Sequence, residues 1–136
     1  MSTGDNFNYP ELIEGDAHGQ SHALLGIFDP LAPAAVYAVK RLGGGDPAAF
    51  RATPDPTVPL AGLIFRAPTQ YYKTGVVLLA WLNGFQDHFI MLNGAQAIRP
   101  LPYFTEPFRL ADGCGLLRDP DLAVQRMKRI LARYGA

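Results

Sequence analysis

Residues 71–94, YYKTGVVLLAWLNGFQDHFIMLNG, hold the one tryptophan of the chain, Trp81, and its longest unbroken apolar run, residues 76–82. An uninterrupted apolar run has no wet face and predicts burial on all sides. It is far shorter than the roughly 20 residues needed to cross a bilayer, so it predicts the middle of a soluble core. Periodicity leaves helix and strand both open here; Leu78, Leu79, Ala80 and Trp81 favour helix. A polar cluster follows at Asn83, Gln86, Asp87 and His88.

Moving outward, one other apolar segment stands out. Residues 23–28, ALLGIF, are bounded by polar loops and predict a strand buried on both faces, as in a parallel sheet covered by helices. Gly26 within it predicts a close backbone approach. Residues 1–8 read as loop, with turn chemistry at Gly4, Asp5 and Asn6. Residues 9–15 read as a short helix capped by Asn8 and ended by Gly15, and residues 16–22 as loop.

The dipeptide Asp-Pro recurs at 29–30, 46–47, 55–56 and 119–120. Asp as N-cap and Pro as first helical residue make a sound helix start, because the carboxylate accepts from open amides and Pro has none to waste. Helices are predicted over about 31–42, ended by Gly43-Gly44-Gly45, and over 47–52, 56–65 and 120–134. In the last, Ala123, Met127, Ile130, Leu131 and Tyr134 form one stripe. Residues 98–111 have helical spacing but carry Pro100, Pro102 and Pro107. Pro107 in a helix interior costs about 3 kcal/mol and predicts a kink. The fold class expected is therefore mainly α with one or two short strands.

Composition bounds the function. The 136 residues suit one domain, and with 49% apolar and 18% charged residues the chain should fold. Twelve basic residues balance twelve acidic ones, so neither a nucleic-acid nor a membrane-surface partner is expected. Cys114 is the single cysteine; with no internal disulfide possible, a reducing, cytoplasmic compartment fits. The first residues carry no basic and then apolar segment of a secretory signal.

Several residues invite chemistry. Lys73 precedes the apolar run, and a desolvated lysine is how a Schiff base starts; the plainer reading is a surface lysine whose stem packs on Tyr71 or Tyr72. His18, His22, Asp87 and His88 have no compact metal-ligand spacing, and no metal is expected. Gly43-Gly44-Gly45-Asp46 lacks the lysine and the spacing of a phosphate loop. Cys114 has no nearby base and reads as an inert thiol. Tyr71, Tyr72, Trp81 and Phe85 read as core or subunit contacts rather than a ligand cage. No catalytic residue and no cofactor is assigned.

The segments GDNFNYPELIEGD (4–16), SHALLGIFDPLAPAA (21–35), GDPAAF (45–50), TVPLAGLIF (57–65), APTQYYKTGVVLLAWLNG (67–84), QDHF (86–89) and LADGCGLLRDPDLAVQRM (110–127) occur in an order that resembles the C-terminal third of an uncharacterised dihydrodipicolinate-synthase-like family. Its wider superfamily comprises class I pyruvate aldolases and lyases, built as (β/α)8 barrels. The resemblance implies a single partial domain over 1–136: residues 1–30 run from the end of strand seven to strand eight, and 31–136 form helix eight and a C-terminal helical extension. It implies pocket-lining roles for Gly4, Asp5, Leu25 and Gly26. It implies a small keto-acid substrate in the complete barrel, and association with the missing barrel part or homo-oligomerisation. The Schiff-base lysine and proton-relay tyrosine of such aldolases fall on strands six and five, outside these residues, so the chain alone is expected to be inactive. Pro100, Pro102, Pro107 and Gly113 depart from the regular helix expected of that extension. The alternative is a self-contained helical interaction module without catalysis.

Overall fold

The computed structural model describes residues 2–136, along which two short strands and seven helices follow one another. They are β1 (Ser2–Thr3), α1 (Tyr9–Glu14), β2 (His22–Ala23), α2 (Phe28–Gly43), α3 (Pro47–Arg51), α4 (Val58–Ile64), α5 (Lys73–Leu82), α6 (Pro102–Gly113) and α7 (Pro120–Arg133). The mainly helical class expected from the sequence is what forms. No helix among the described residues is long and apolar enough to cross a membrane. The chain divides into two compact units, one ending at Gly62 and the other covering Leu63–Ala136.

In the first unit β1 and β2 pair in parallel, Ser2 opposite His22 and Thr3 opposite Ala23. A strand over 23–28 does not form. The ladder has two rungs because both chains turn away at once. After Thr3, the Asp5 carboxylate accepts from the Phe7 and Asn8 amides at 2.7 and 3.1 Å and bends the backbone. After Ala23, Phe28 N donates to Leu25 O at 3.1 Å, closing a turn around Gly26. Leu25 and Ile27 are buried, but Leu24 is 85% exposed. Gly26 thus sits in a turn rather than inside a strand. The loop expected at the start is instead β1 from Ser2, with Met1 outside the described residues.

Two of the four Asp-Pro starts cap as expected. Asp46 accepts from Ala49 N, and Asp119 from Leu122 N, each at 2.9 Å. Both Asp backbones lie outside the helical region, which lets the carboxylate fold back. Asp29 and Asp55 do not cap, because Ile27 and Pro54 ahead of them are already helical and carry the start upstream. Residues 55–57 form a 3-10 turn, so the helix expected over 56–65 is split. Asn8 makes no side-chain cap on α1.

Arg51 on α3 reaches three carboxylates, Asp55 at 3.1 Å, Glu14 at 3.6 Å and Glu11 at 3.8 Å. Around it Tyr9, Ile13, Ile27, Leu31, Ala38 and Phe50 are buried. The Tyr9 and Thr57 hydroxyls share a hydrogen bond, and Thr57 Oγ1 donates to Pro54 O at 2.7 Å.

In the second unit α5 packs on both α6 and α7. Of the apolar run, Leu78, Leu79, Trp81 and Leu82 are buried, while Val76, Val77 and Ala80 are half-buried. The run is thus enclosed on most of its circumference rather than on all of it. Trp81 stacks on Phe89 at 5.7 Å, and Phe89 meets Phe104 edge-on at 5.8 Å. Pro107 does not interrupt α6. The helix continues to Gly113 with Tyr103, Phe104, Pro107 and Ala111 on its buried face, so burial outweighs the lost backbone bond.

Two buried arginines bond to backbone carbonyls at or beyond helix ends. Arg99 donates to the Arg66, Ala67 and Pro68 carbonyls at 3.3, 3.3 and 2.9 Å, beyond the end of α4. Arg126 donates to Trp81 O, in the last turn of α5, and to Gln86 O at 2.9 Å. Tyr103 lies between Arg99 and Arg66, with guanidinium carbons 4.6 and 5.2 Å from its ring centre, and its hydroxyl donates to Ile64 O at 3.2 Å.

Gly75 marks a close approach of α5 to its neighbours. A Cβ there would lie 2.9 Å from both Ile64 Cγ1 and Tyr103 Oη. Gly75→Ala gains about 1 kcal/mol of helix propensity but overpacks this contact at a cost of about 1–3 kcal/mol. The net expectation is destabilisation, read as a lower urea midpoint; a raised midpoint would refute the packing argument.

Burial raises the Tyr103 phenol above its ordinary 10.0, against the lowering pull of Arg99 and Arg66. A folded pKa above the unfolded one means that its stabilising contribution is complete below the unfolded value and is lost as pH rises through the folded value. Stability should therefore fall at alkaline pH starting above about 10. Tyr103→Phe, though less stable near neutrality for want of the Ile64 bond, should show a shallower alkaline loss in parallel denaturation series.

Candidate functional site

The best-organised polar arrangement lies beyond the carboxyl ends of β1 and β2. There the sequence 4–8, GDNFN, makes a turn whose frame is Asp5. Asn6 joins the two loops: its Oδ1 accepts from Ile27 N at 3.2 Å, and its Nδ2 donates to Gly4 O at 3.0 Å. Gly4 and Asp5 are thereby held beside Leu25 and Gly26. The four residues singled out in the sequence share one end of the strand pair. A Cβ built on Gly4 meets no atom within 4 Å, so the space beside it is open. Leu25 is buried, and Gly26 is half-buried.

The sequence places Asn6 in turn chemistry but does not reveal it as the residue that joins the two loops. Its signal was present, since an Asn two residues after a Gly in turn chemistry can bond backbone on both sides. The partner across the sheet, Ile27, was hidden by the expectation that 23–28 is strand.

Beside β2 runs an open groove of about 610 Å³. Ile13, Ala23, Phe28, Val36 and Val39 line it, with Val36 55% and Val39 48% exposed. The outer edge of β2 pairs with no strand among the described residues. A separate apolar cavity of about 20 Å³ lies among Tyr9, Phe28, Leu31, Ala38 and Phe50, with room for about one water-sized probe and no larger ligand.

The other tempting residues disperse. Lys73 is exposed, and its ammonium lies 5.9 Å from the centre of the Tyr72 ring, a stem packed on a neighbour. Tyr72 in turn stacks on Phe65 at 4.6 Å. Trp81 belongs to the Phe89 stack, and Phe85 carries the Arg118 guanidinium at 4.8 Å, so Tyr71, Tyr72, Trp81 and Phe85 form no single patch. His18 and His22 are exposed, and His18 N donates to Asp16 Oδ1 at 2.7 Å. Among the described residues no three His, Cys, Asp or Glu side chains gather to hold a metal ion. Gly43-Gly44-Gly45 ends α2, with Gly45 in the left-handed region at φ 79°. Cys114 is half-buried, and burial raises its thiol pKa.

Asn6→Ala would leave Ile27 N without its acceptor and loosen both loops. The expected result is faster amide exchange at Ile27 and its neighbours, by about tenfold for a lost bond worth about 1.4 kcal/mol. Exchange in α7 should not change. Unaltered exchange at Ile27 would show that the loops are not joined this way.

Over residues 1–136 the sequence matches the family described as "Protein of unknown function (DUF993)", and the chain belongs to that family. No curated protein matches it.

Proposed function

We propose that this DUF993 chain forms the closing part of a (β/α)8 barrel, the seventh and eighth strand ends with helix eight, followed by a helical extension. In this reading the whole barrel is a dihydrodipicolinate-synthase-like lyase that makes or breaks a C–C bond of a small keto acid through a Schiff base. The observation that carries it is the parallel pairing of β1 with β2 across α1, with α2 following β2. Parallel strands are found covered on both faces, and a two-stranded sheet is marginal alone. The open edge of β2 and the apolar groove beside it are where further strands and helices of a barrel would sit.

The position of Gly4, Asp5, Leu25 and Gly26 supports a pocket role. They lie past the carboxyl ends of parallel strands, where barrel enzymes place their chemistry. Gly4 leaves room for a ligand, and Asn6 positions the two loops. Schiff-base formation needs an amine whose pKa is lowered by burial or a neighbouring cation. Lys40, Lys73 and Lys128 are the lysines of this chain, and all are exposed. The reacting lysine therefore belongs to other strands of the barrel, and this chain alone is inactive.

A second reading, a self-contained helical module, is favoured by one observation: Leu63–Ala136 is a compact unit whose α5, α6 and α7 bury a core of their own.

Light scattering on size-exclusion fractions separates the two. The chain is expected to associate or aggregate alone and to form a defined complex when mixed with the upstream barrel segment of a family member. Adding pyruvate and borohydride to that complex should add mass to the upstream segment and leave the mass of this chain unchanged. A monodisperse, cooperatively melting chain that ignores the upstream segment would remove the barrel reading and leave the helical module.

A further inference from the structure

Apart from the strand ends, the second unit holds a cleft of about 160 Å³ between the 87–90 segment and α7. Its floor is apolar and built. Trp81 and Phe89 stack there at 5.7 Å and 18°, Ile130 lies beside them, and all three are buried. Its rim is charged: Arg129 and Arg133 stand on α7, facing His88 and Asp87.

The arginines differ in what they already do. Arg126, Arg129, Ile130 and Arg133 fall at i, i+3, i+4 and i+7 on α7 and so share one face. Arg126 is committed: it donates to Trp81 O and Gln86 O, and its guanidinium carbon lies 5.4 Å from the Trp81 ring centre. The guanidinium groups of Arg129 and Arg133 have neither an ion pair nor a hydrogen bond among the described residues. Two like charges at i,i+4 repel each other along a helix. Asp87 lines the same cleft but lies beyond ion-pair reach of either. Two unpaired guanidinium groups over an aromatic floor are the parts from which a carboxylate site is made, since the planar fork of donors matches a carboxylate.

We propose that this cleft binds a small monocarboxylate with an apolar body. The carboxylate sits between Arg129 and Arg133, and the hydrocarbon or aromatic body lies on Trp81, Phe89 and Ile130. At about 30 Å³ per water, the cleft displaces several waters, which suits a single ring or a short branched chain. It is below the roughly 300–1,000 Å³ of pockets for drug-sized ligands. Asp87 on the rim opposes a second negative charge, so dianions are disfavoured. The site lies within the Leu63–Ala136 unit and is independent of the barrel reading.

Trp81 is the only tryptophan, so the emission of the full chain reports on the floor of the cleft. Phenylacetate should give a saturable change. Benzyl alcohol, which lacks the charge, and inorganic phosphate, which lacks the body, should each bind at least about tenfold more weakly. The Arg129→Gln, Arg133→Gln double variant should weaken phenylacetate about tenfold and keep its circular dichroism, because both side chains are exposed. Asp87→Asn, outside the helix and so indifferent to its folding, should tighten phenylacetate about twofold to fivefold. No saturable change, phosphate matching phenylacetate, or indifference to all three substitutions would each overturn the proposal.

Discussion

The second unit depends on two buried guanidinium groups that bond to backbone carbonyls. Where a helix ends and gives way to loop, carbonyls are left without ladder partners, and burying them unpaired costs about 1–3 kcal/mol each. Arg99 answers for Arg66, Ala67 and Pro68, and Arg126 for Trp81 and Gln86. Neither has a carboxylate partner within ion-pair distance among the described residues. Backbone carbonyls and the rings of Tyr103 and Trp81 take that place. Because each arginine comes from a segment distant in sequence, the chain beyond α4 and the chain beyond α5 are held by later residues. The unit is assembled by its ends as much as by its apolar middle.

The first unit follows a different logic. Its sheet is two residues wide along each strand, too short to set much by ladder bonds alone. Side chains do the joining: Asp5 bends the chain after β1, and Asn6 fastens that bend to Ile27. Arg51, among Glu11, Glu14 and Asp55, ties α1 to α3 and the turn that follows it. These are partly exposed pairs and contribute modestly to stability, but they fix which loops stand beside which. The functional reading rests on that placement, because pocket-lining residues on loops act only when the loops are held.

Helices were largely legible in the sequence, for physical reasons visible in particular residues. Of the α7 stripe, Ala123, Met127 and Ile130 are buried, whereas Leu131 is half-buried and Tyr134 is 46% exposed near the chain end, and the carboxylate of Asp119 closes the helix start. The Asp-Pro pattern misled at Asp29 and Asp55, because an Asp caps only where the chain ahead of it is not yet helical, and the backbone had already become helical at Ile27 and Pro54. The residues 23–28 misled more. Apolar composition signals burial, but a strand also needs a neighbour for each amide, and those of Ile27 and Phe28 go to Asn6 and Leu25. Of the site residues, Gly4, Asp5, Leu25 and Gly26 came from the resemblance, and Asn6, which joins them, became visible only once the two loops lay side by side. The cleft on α7 was invisible for a similar reason, since Trp81, Phe89 and Arg129 meet through packing and share no local pattern.

The half-buried Cys114 has a bearing on how the molecule meets oxidants and thiol reagents. Nucleophilic attack by sulfur needs the thiolate, and burial makes that form scarcer than in an open peptide. As this is the only cysteine, the chain has no second thiol to resolve a sulfenic acid internally. Peroxide and electrophiles therefore meet a slow sulfur, and any disulfide it enters must reach a thiol outside residues 1–136.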